Sequence, residues 1–117
     1  MSKDLDGYSL PGGGLVNIDK TGLDGWSALV AVVQATYNAS ASAGVRAVWL
    51  YSPDGTNYDS LDDAVASGNY YDLSFTAGAT RQATVLIPII TPYVRILIIN
   101  KDPTNATTIN VWTLTLR

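Results

Sequence analysis

The chain has neither cysteine nor histidine among its 117 residues. Without cysteine there is no disulfide framework and no thiolate nucleophile, so packing alone must hold the domain together. Without histidine the chain loses Ser-His-Asp and Cys-His nucleophile systems, most zinc sites and the side chain that titrates near neutrality. What remains for catalysis is carboxylate chemistry, and the expectation is a protein that is not an enzyme and carries no cofactor. Charge is also scarce, at 15% of residues. The seven basic residues are scattered singly from Lys3 to Arg117 and are outnumbered by ten acidic ones, for a net charge of −3. Phosphate contacts need clustered Lys and Arg, so a nucleic-acid partner is not expected. Long apolar runs are missing too. The most apolar stretch, Val85 to Ile99, is interrupted by Pro88, Pro92 and Arg95 and is too short to cross a bilayer. No basic segment followed by an apolar one opens the chain, so a secretory signal is not expected and a soluble protein is.

What is present is an apolar fraction of 47%, too high for a disordered chain, arranged with a period of two. Residues 1–14 are polar and end in Pro11-Gly12-Gly13-Gly14, which reads as a flexible Gly-rich arm, either a disordered tail or an arm that orders on a neighbouring subunit. Residues 15–117 read as one β-sandwich domain. Leu15 to Asp19 is a short strand. Trp26 to Tyr37 places Leu29, Ala31, Val33, Ala35 and Tyr37 on one face, and Val45 to Ser52 alternates in the same way. Tyr70 to Phe75, Arg81 to Ile87, Tyr93 to Asn100 and Thr107 to Leu116 complete the strands, with Trp112, Leu114 and Leu116 expected to finish the core. Ser60 to Ser67 carries the single helical signal, with Ser60 as N-cap, Asp62 and Asp63 in the first turn and Gly68 as the stop. About eight strands with short reversals predict an all-β, antiparallel two-sheet sandwich.

Three groups of residues are candidates for function. The acidic stretch Asp54, Asp59, Asp62 and Asp63 offers a weak hard-cation site, with Asp54 and Asp59 as ligands, or else a solvated turn and a capped helix. The same aspartates are neighbours on one loop and do not make the facing carboxylate pair of a glycoside hydrolase. Three tryptophans and seven tyrosines against one phenylalanine suit surfaces that meet both water and a partner. Tyr51, Tyr58, Tyr70 and Tyr71 lie near one loop region in sequence, and with Asp54 and Asn57 they form a candidate sugar-binding platform. Otherwise these tyrosines simply rim the sandwich or meet another protein. Arg95, inside an apolar strand, needs a mate such as Asp54 or Asp59 if it faces inward.

The segment Trp49–Tyr58 (WLYSPDGTNY) resembles the strand-then-turn Y-S-x-D-G-x-x-W of discoidin-like jelly-roll sandwiches, with Tyr58 where tryptophan is usual. Thr91–Ile96 (TPYVRI) looks like the aromatic-V/I-R-I/V strand that follows in those folds. In a short chain free of Cys and His, with a glycine-hinged arm, the same pattern is similar to small structural proteins of tailed viruses. That resemblance implies a jelly-roll virion protein, a capsid decoration or tail-associated module. Such a module is assembled in the host cytoplasm and acts through contacts with other virion proteins and with itself, a trimer being favoured. The alternative expectation is a carbohydrate-binding module of a fibre or cell-wall-targeting protein, using the tyrosine region as its platform.

Overall fold

A computed structural model describes all 117 residues. In chain order the elements are β1 (Ser2–Leu10), β2 (Leu15–Lys20), β3 (Ala28–Thr36), β4 (Val45–Ser52), α1 (Leu61–Ala66), β5 (Tyr70–Asp72), β6 (Thr80–Pro88), β7 (Tyr93–Asn100) and β8 (Thr107–Leu116). The strands form two four-stranded antiparallel sheets, sheet A in the order β1-β8-β3-β6 and sheet B in the order β2-β7-β4-β5. Strand 1 therefore pairs with 8, 2 with 7, 3 with 6 and 4 with 5, which is the jelly-roll wrapping of a sandwich. No helix is long and apolar enough to cross a membrane.

The core lies between the sheets and follows the alternation. Leu29, Ala31, Val33 and Ala35 of β3 face Val45, Ala47 and Trp49 of β4 and Val94, Ile96 and Ile98 of β7, all buried. A second, smaller cluster lies outside sheet B. Val48 and Leu50 of β4 and Leu97 of β7 point away from the main core, and Ala64 of α1 covers them. The helix forms where the sequence places it, with the Ser60 hydroxyl accepting the Asp63 N–H at 3.1 Å and Gly68 at φ +81° ending it. Helix α1 shields sheet B, whereas no element lies over the outer face of sheet A.

Two expectations change. Residues 2–10 are not a tethering arm: they pair with β8 from Ser2↔Thr113 to Leu10↔Thr107 and form an edge of sheet A. The strand lacks apolar alternation because it is held by polar contacts, Asp4 accepting from the Thr113 hydroxyl and ion-pairing with Lys20 at 2.8 Å. Two register shifts and Gly7 at φ +61° bulge it, and Lys3, Asp4 and Asp6 charge it, both common defences of an exposed edge. The glycine run is no hinge either. Gly12 sits so close to the backbone of Thr104 that a Cβ would lie 2.6 Å from it, and the Gly13 N–H donates to the Asp102 carbonyl at 2.7 Å.

The second change concerns β8. Its buried residues are Thr107, Ile109, Val111 and Thr113, so Trp112, Leu114 and Leu116 face outward. Both faces of this strand carry apolar residues, and pairing with β3 decides which one turns inward.

Beside the β1–β2 turn lies a buried polar knot. The Asn100 side-chain amide, 1% exposed, donates to the carbonyls of Leu10, Pro11 and Asn105 at 3.2, 3.2 and 2.8 Å. Asn100→Ala removes these three bonds from a buried site, where the Pro11 carbonyl keeps only the Gly14 N–H, at an expected cost of about 3 kcal/mol, or about 12 °C in Tm for a chain of this size. Thermal unfolding followed by circular dichroism checks this, and a fall of only a degree or two would mean that water replaces the amide at no cost.

Candidate functional site

The residues singled out around the Ser52–Asn57 turn do not converge. Tyr51 faces between the sheets, is 7% exposed and donates its hydroxyl proton to the Pro88 carbonyl at 2.6 Å, so it belongs to the core and not to a platform. Tyr71 lies on the inward side of β5, opposite Ala47. Tyr58 and Tyr70 are on the outer side of sheet B, packed against the cluster under α1. Each has one ring face taken by a guanidinium, Arg95 at 4.1 Å from Tyr58 and Arg46 at 4.5 Å from Tyr70. Arg95 pairs with Asp19 at 2.6 Å, not with Asp54 or Asp59, because Asp19 is its direct neighbour on β2.

Asp54 shapes its own turn. Its carboxylate accepts the N–H groups of Asn57 and Thr56 at 2.8 and 2.9 Å and the Asn57 side-chain amide at 2.6 Å. Those donors hold its pKa down to about 2. Asp59 accepts the Tyr51 N–H at 3.3 Å, and no three carboxylates gather in a group suited to a metal ion. Asp102 is also held well below the usual carboxylate range, by the N–H groups of Asn105, Thr104 and Ser42. A folded-state pKa below the unfolded one means stability that is complete above the unfolded value and lost as pH falls through the folded one. The Tm is therefore expected to be level above about pH 5 and to fall between about pH 4 and pH 2, with Asp102→Asn flattening part of that fall. Melting curves across this range check the sign.

A hollow of about 260 Å³ lies beside α1, bounded by Arg46, Leu61, Asp62, Val65, Ile99 and Lys101. Its two cations are both occupied by Asp72, at 2.7 Å from Arg46 and 3.3 Å from Lys101. It offers little unspent chemistry.

The open face of sheet A is different. Register brings its outward residues into rows that cross the strands. Thr108, Thr36 and Thr80 form a hydroxyl row, with Thr36 and Thr80 hydrogen-bonded at 2.9 Å. Asn110, Gln34 and Gln82 form an amide row, linked at 3.0 and 3.1 Å. Trp112, Val32 and Thr84 form the next row, and Leu114, Val30 and Leu86 the one after. Trp112 is half-buried, with the Lys3 ammonium over one face of its ring, 4.9 Å from the centroid, which leaves the other face for stacking. Met1, Val32, Gln82 and Trp112 bound a shallow hollow of about 310 Å³. An indole beside a row of amides, on a sheet face that no other strand or helix covers, combines an apolar stacking surface with donors and acceptors at the spacing of the strands.

None of Gln34, Gln82, Asn110 or Trp112 stands out as a site in the sequence. The available signal is the polar alternation Gln34-x-Thr36, Thr80-x-Gln82-x-Thr84 and Thr108-x-Asn110-x-Trp112, in which strand positions usually given to β-branched residues carry amides.

Neither a family model nor a curated protein matches the sequence. Among solved structures the chain is similar to one described as Family 16 Carbohydrate Binding Module-2, with a TM-score of 0.55 and 12% sequence identity over 91% of this chain and 74% of that one. At that identity the likeness establishes the sandwich fold.

Proposed function

We propose that this chain is a non-catalytic carbohydrate-binding module that holds a glycan against the outer face of sheet A. The observation that carries the reading is the placement of Trp112 next to the Asn110–Gln34–Gln82 row on the uncovered face. A sugar ring presents C–H groups on its faces and hydroxyls at its rim, so it stacks on an indole while amides reach its oxygens. The likeness to a structure described as a carbohydrate-binding module supports the same reading. Capsid or tail assembly, the first expectation from the sequence, gains no support from that comparison.

A polysaccharide and glycan array probed with the wild-type chain and with Trp112→Ala tests the proposal. Binding to a defined glycan class that Trp112→Ala removes, and that Tyr58→Ala and Tyr70→Ala preserve, is the expected result. Silence across the array, or binding that follows the tyrosines, would overturn it.

A second reading, self-association, draws on the apolar end of the same face. Leu86 is 62% exposed and Leu114 40%, in one row with Val30. Light-scattering mass after size exclusion decides it: a trimer that Leu86→Ser disperses supports assembly through this row, and a monomer removes it.

A further inference from the structure

We infer that Gln82 is the residue through which the sheet A face donates a hydrogen bond to a ligand hydroxyl, and that a relay crossing all four strands from the Gly7 backbone fixes the direction of that donor. The inference rests on the carbohydrate reading and adds to it a recognition residue and a polarity.

The oxygen and nitrogen of a side-chain amide are nearly alike in shape, so an isolated Asn or Gln can face either way. Here the first link removes the choice. Gly7 offers a backbone N–H, which can only donate, and it lies 2.7 Å from Asn110 Oδ1. Asn110 must therefore turn Nδ2 towards β3, where it donates to Gln34 Oε1 at 3.0 Å. Gln34 in turn directs Nε2 towards β6 and donates to Gln82 Oε1 at 3.1 Å. Strand β6 is the edge of the sheet, so there is no fifth strand to continue the chain. Gln82 ends it exposed, with its oxygen engaged and both N–H groups of Nε2 without a partner in the protein.

The relay thus converts one backbone donor on β1 into a free donor on the opposite edge. Hydrogen bonds in series polarise one another, which strengthens the last donor. Its position suits the proposed ligand. Gln82 borders the hollow against Trp112 and Val32, and neighbouring strands lie about 4.8 Å apart, so Asn110 to Gln82 spans about 10 Å across the sheet. That is room for two sugar rings lying across the strands, one over the indole and the next within reach of Gln82. Gly7 owes its place to its conformation: at φ +61° the bulge turns its N–H onto the face instead of into the β8 ladder. Gln82 is the contact residue, and Asn110, Gln34 and Gly7 are positioning residues.

Two measurements on the full chain test this. The first is nitrogen-15 NMR of the side-chain amides without ligand. Asn110 and Gln34 should each show one protected N–H, and Gln82 should show two that exchange freely. Asn110→Asp keeps the acceptor for Gly7 and deletes the donor to Gln34, so the Gln82 amide signals should move although Gln82 lies two strands away. A purely structural Asn110 would leave them in place, and unmoved signals overturn the relay. The second is calorimetry with hexasaccharides of β-1,4-linked glucose, mannose and xylose. For whichever binds, Gln82→Glu and Gln82→Ala should each weaken affinity about tenfold, and Asn110→Asp about threefold. Binding that Trp112→Ala abolishes and both Gln82 variants retain would refute the role of Gln82 while leaving the carbohydrate reading intact. Failure of the wild-type chain to bind any of these three and any array glycan would overturn both.

Discussion

Trp112→Ala is expected to lower glycan affinity by about thirtyfold or more and to leave the fold in place. The two halves of this expectation have separate physical sources. Residues that anchor a ligand through an aromatic face commonly cost about 2 kcal/mol or more when truncated, which is at least thirtyfold in Kd. Among the outward residues in the paired rows of β8, β3 and β6 the indole is the one aromatic side chain, and Val32, its cross-strand neighbour, is too small to replace it. For folding, by contrast, Trp112 contributes little. It projects away from the core that Ile109 and Val111 fill, so its loss removes the Lys3 contact and some packing on Val32, worth about 1 kcal/mol and about 4 °C in Tm. Calorimetry and thermal melts on the same preparation separate the two. A variant that loses binding and also loses its cooperative transition would place Trp112 in the structural core, against this account.

Deletion of residues 1–10 is expected to abolish folding at 25 °C. If those residues were a tether, their removal would leave the sandwich intact. They instead supply one of four strands to sheet A and the fully buried side chain of Leu10. Losing a buried leucine alone costs about 3 kcal/mol. The deletion also strips the β8 edge of its ladder partners, exposes Thr113 and the lower core, and leaves Lys20, only 21% exposed, without its carboxylate. Together these losses approach the 5–15 kcal/mol by which a domain of this size is stable. Loss of the near-ultraviolet dichroism of the tryptophans, with ordinary unfolded-chain exchange of the amides, is the expected outcome. A truncated chain that melts within a few degrees of the full one would show β1 to be dispensable.

These two residue sets also show where the sequence was informative. Strands β3, β4 and β7 were legible because each has at least three successive apolar residues on one face, and the two-sided apolar pattern of β4 and β7 matches the extra cover that α1 gives them. The helix was legible from its cap. Strand β1 was hidden because its partners are polar and distant: Asp4 meets Lys20 and Thr113, and Gly7 meets Asn110, 103 residues away. Strand β8 misled because Ile109 and Val111 compete with Trp112, Leu114 and Leu116, and only the register with β3 breaks the tie. The tyrosines misled for a related reason. Closeness along the chain put Tyr51, Tyr58, Tyr70 and Tyr71 together, yet adjacent strand residues face opposite ways, and the sheet separates them. The amide row is the converse case, since Gln34 lies 48 residues from Gln82 and 76 from Asn110, and only jelly-roll pairing makes them neighbours.

The most direct test of the central claim, that the open face of sheet A is where this protein binds, is a nitrogen-15 NMR titration with the strongest glycan from the array. The largest shifts should fall on the Trp112 indole N–H and on the side-chain amides of Gln34, Gln82 and Asn110, with the backbone around Tyr58, Tyr70 and α1 unmoved. Shifts that cluster instead on the outer side of sheet B or on the Asp54 turn would contradict it.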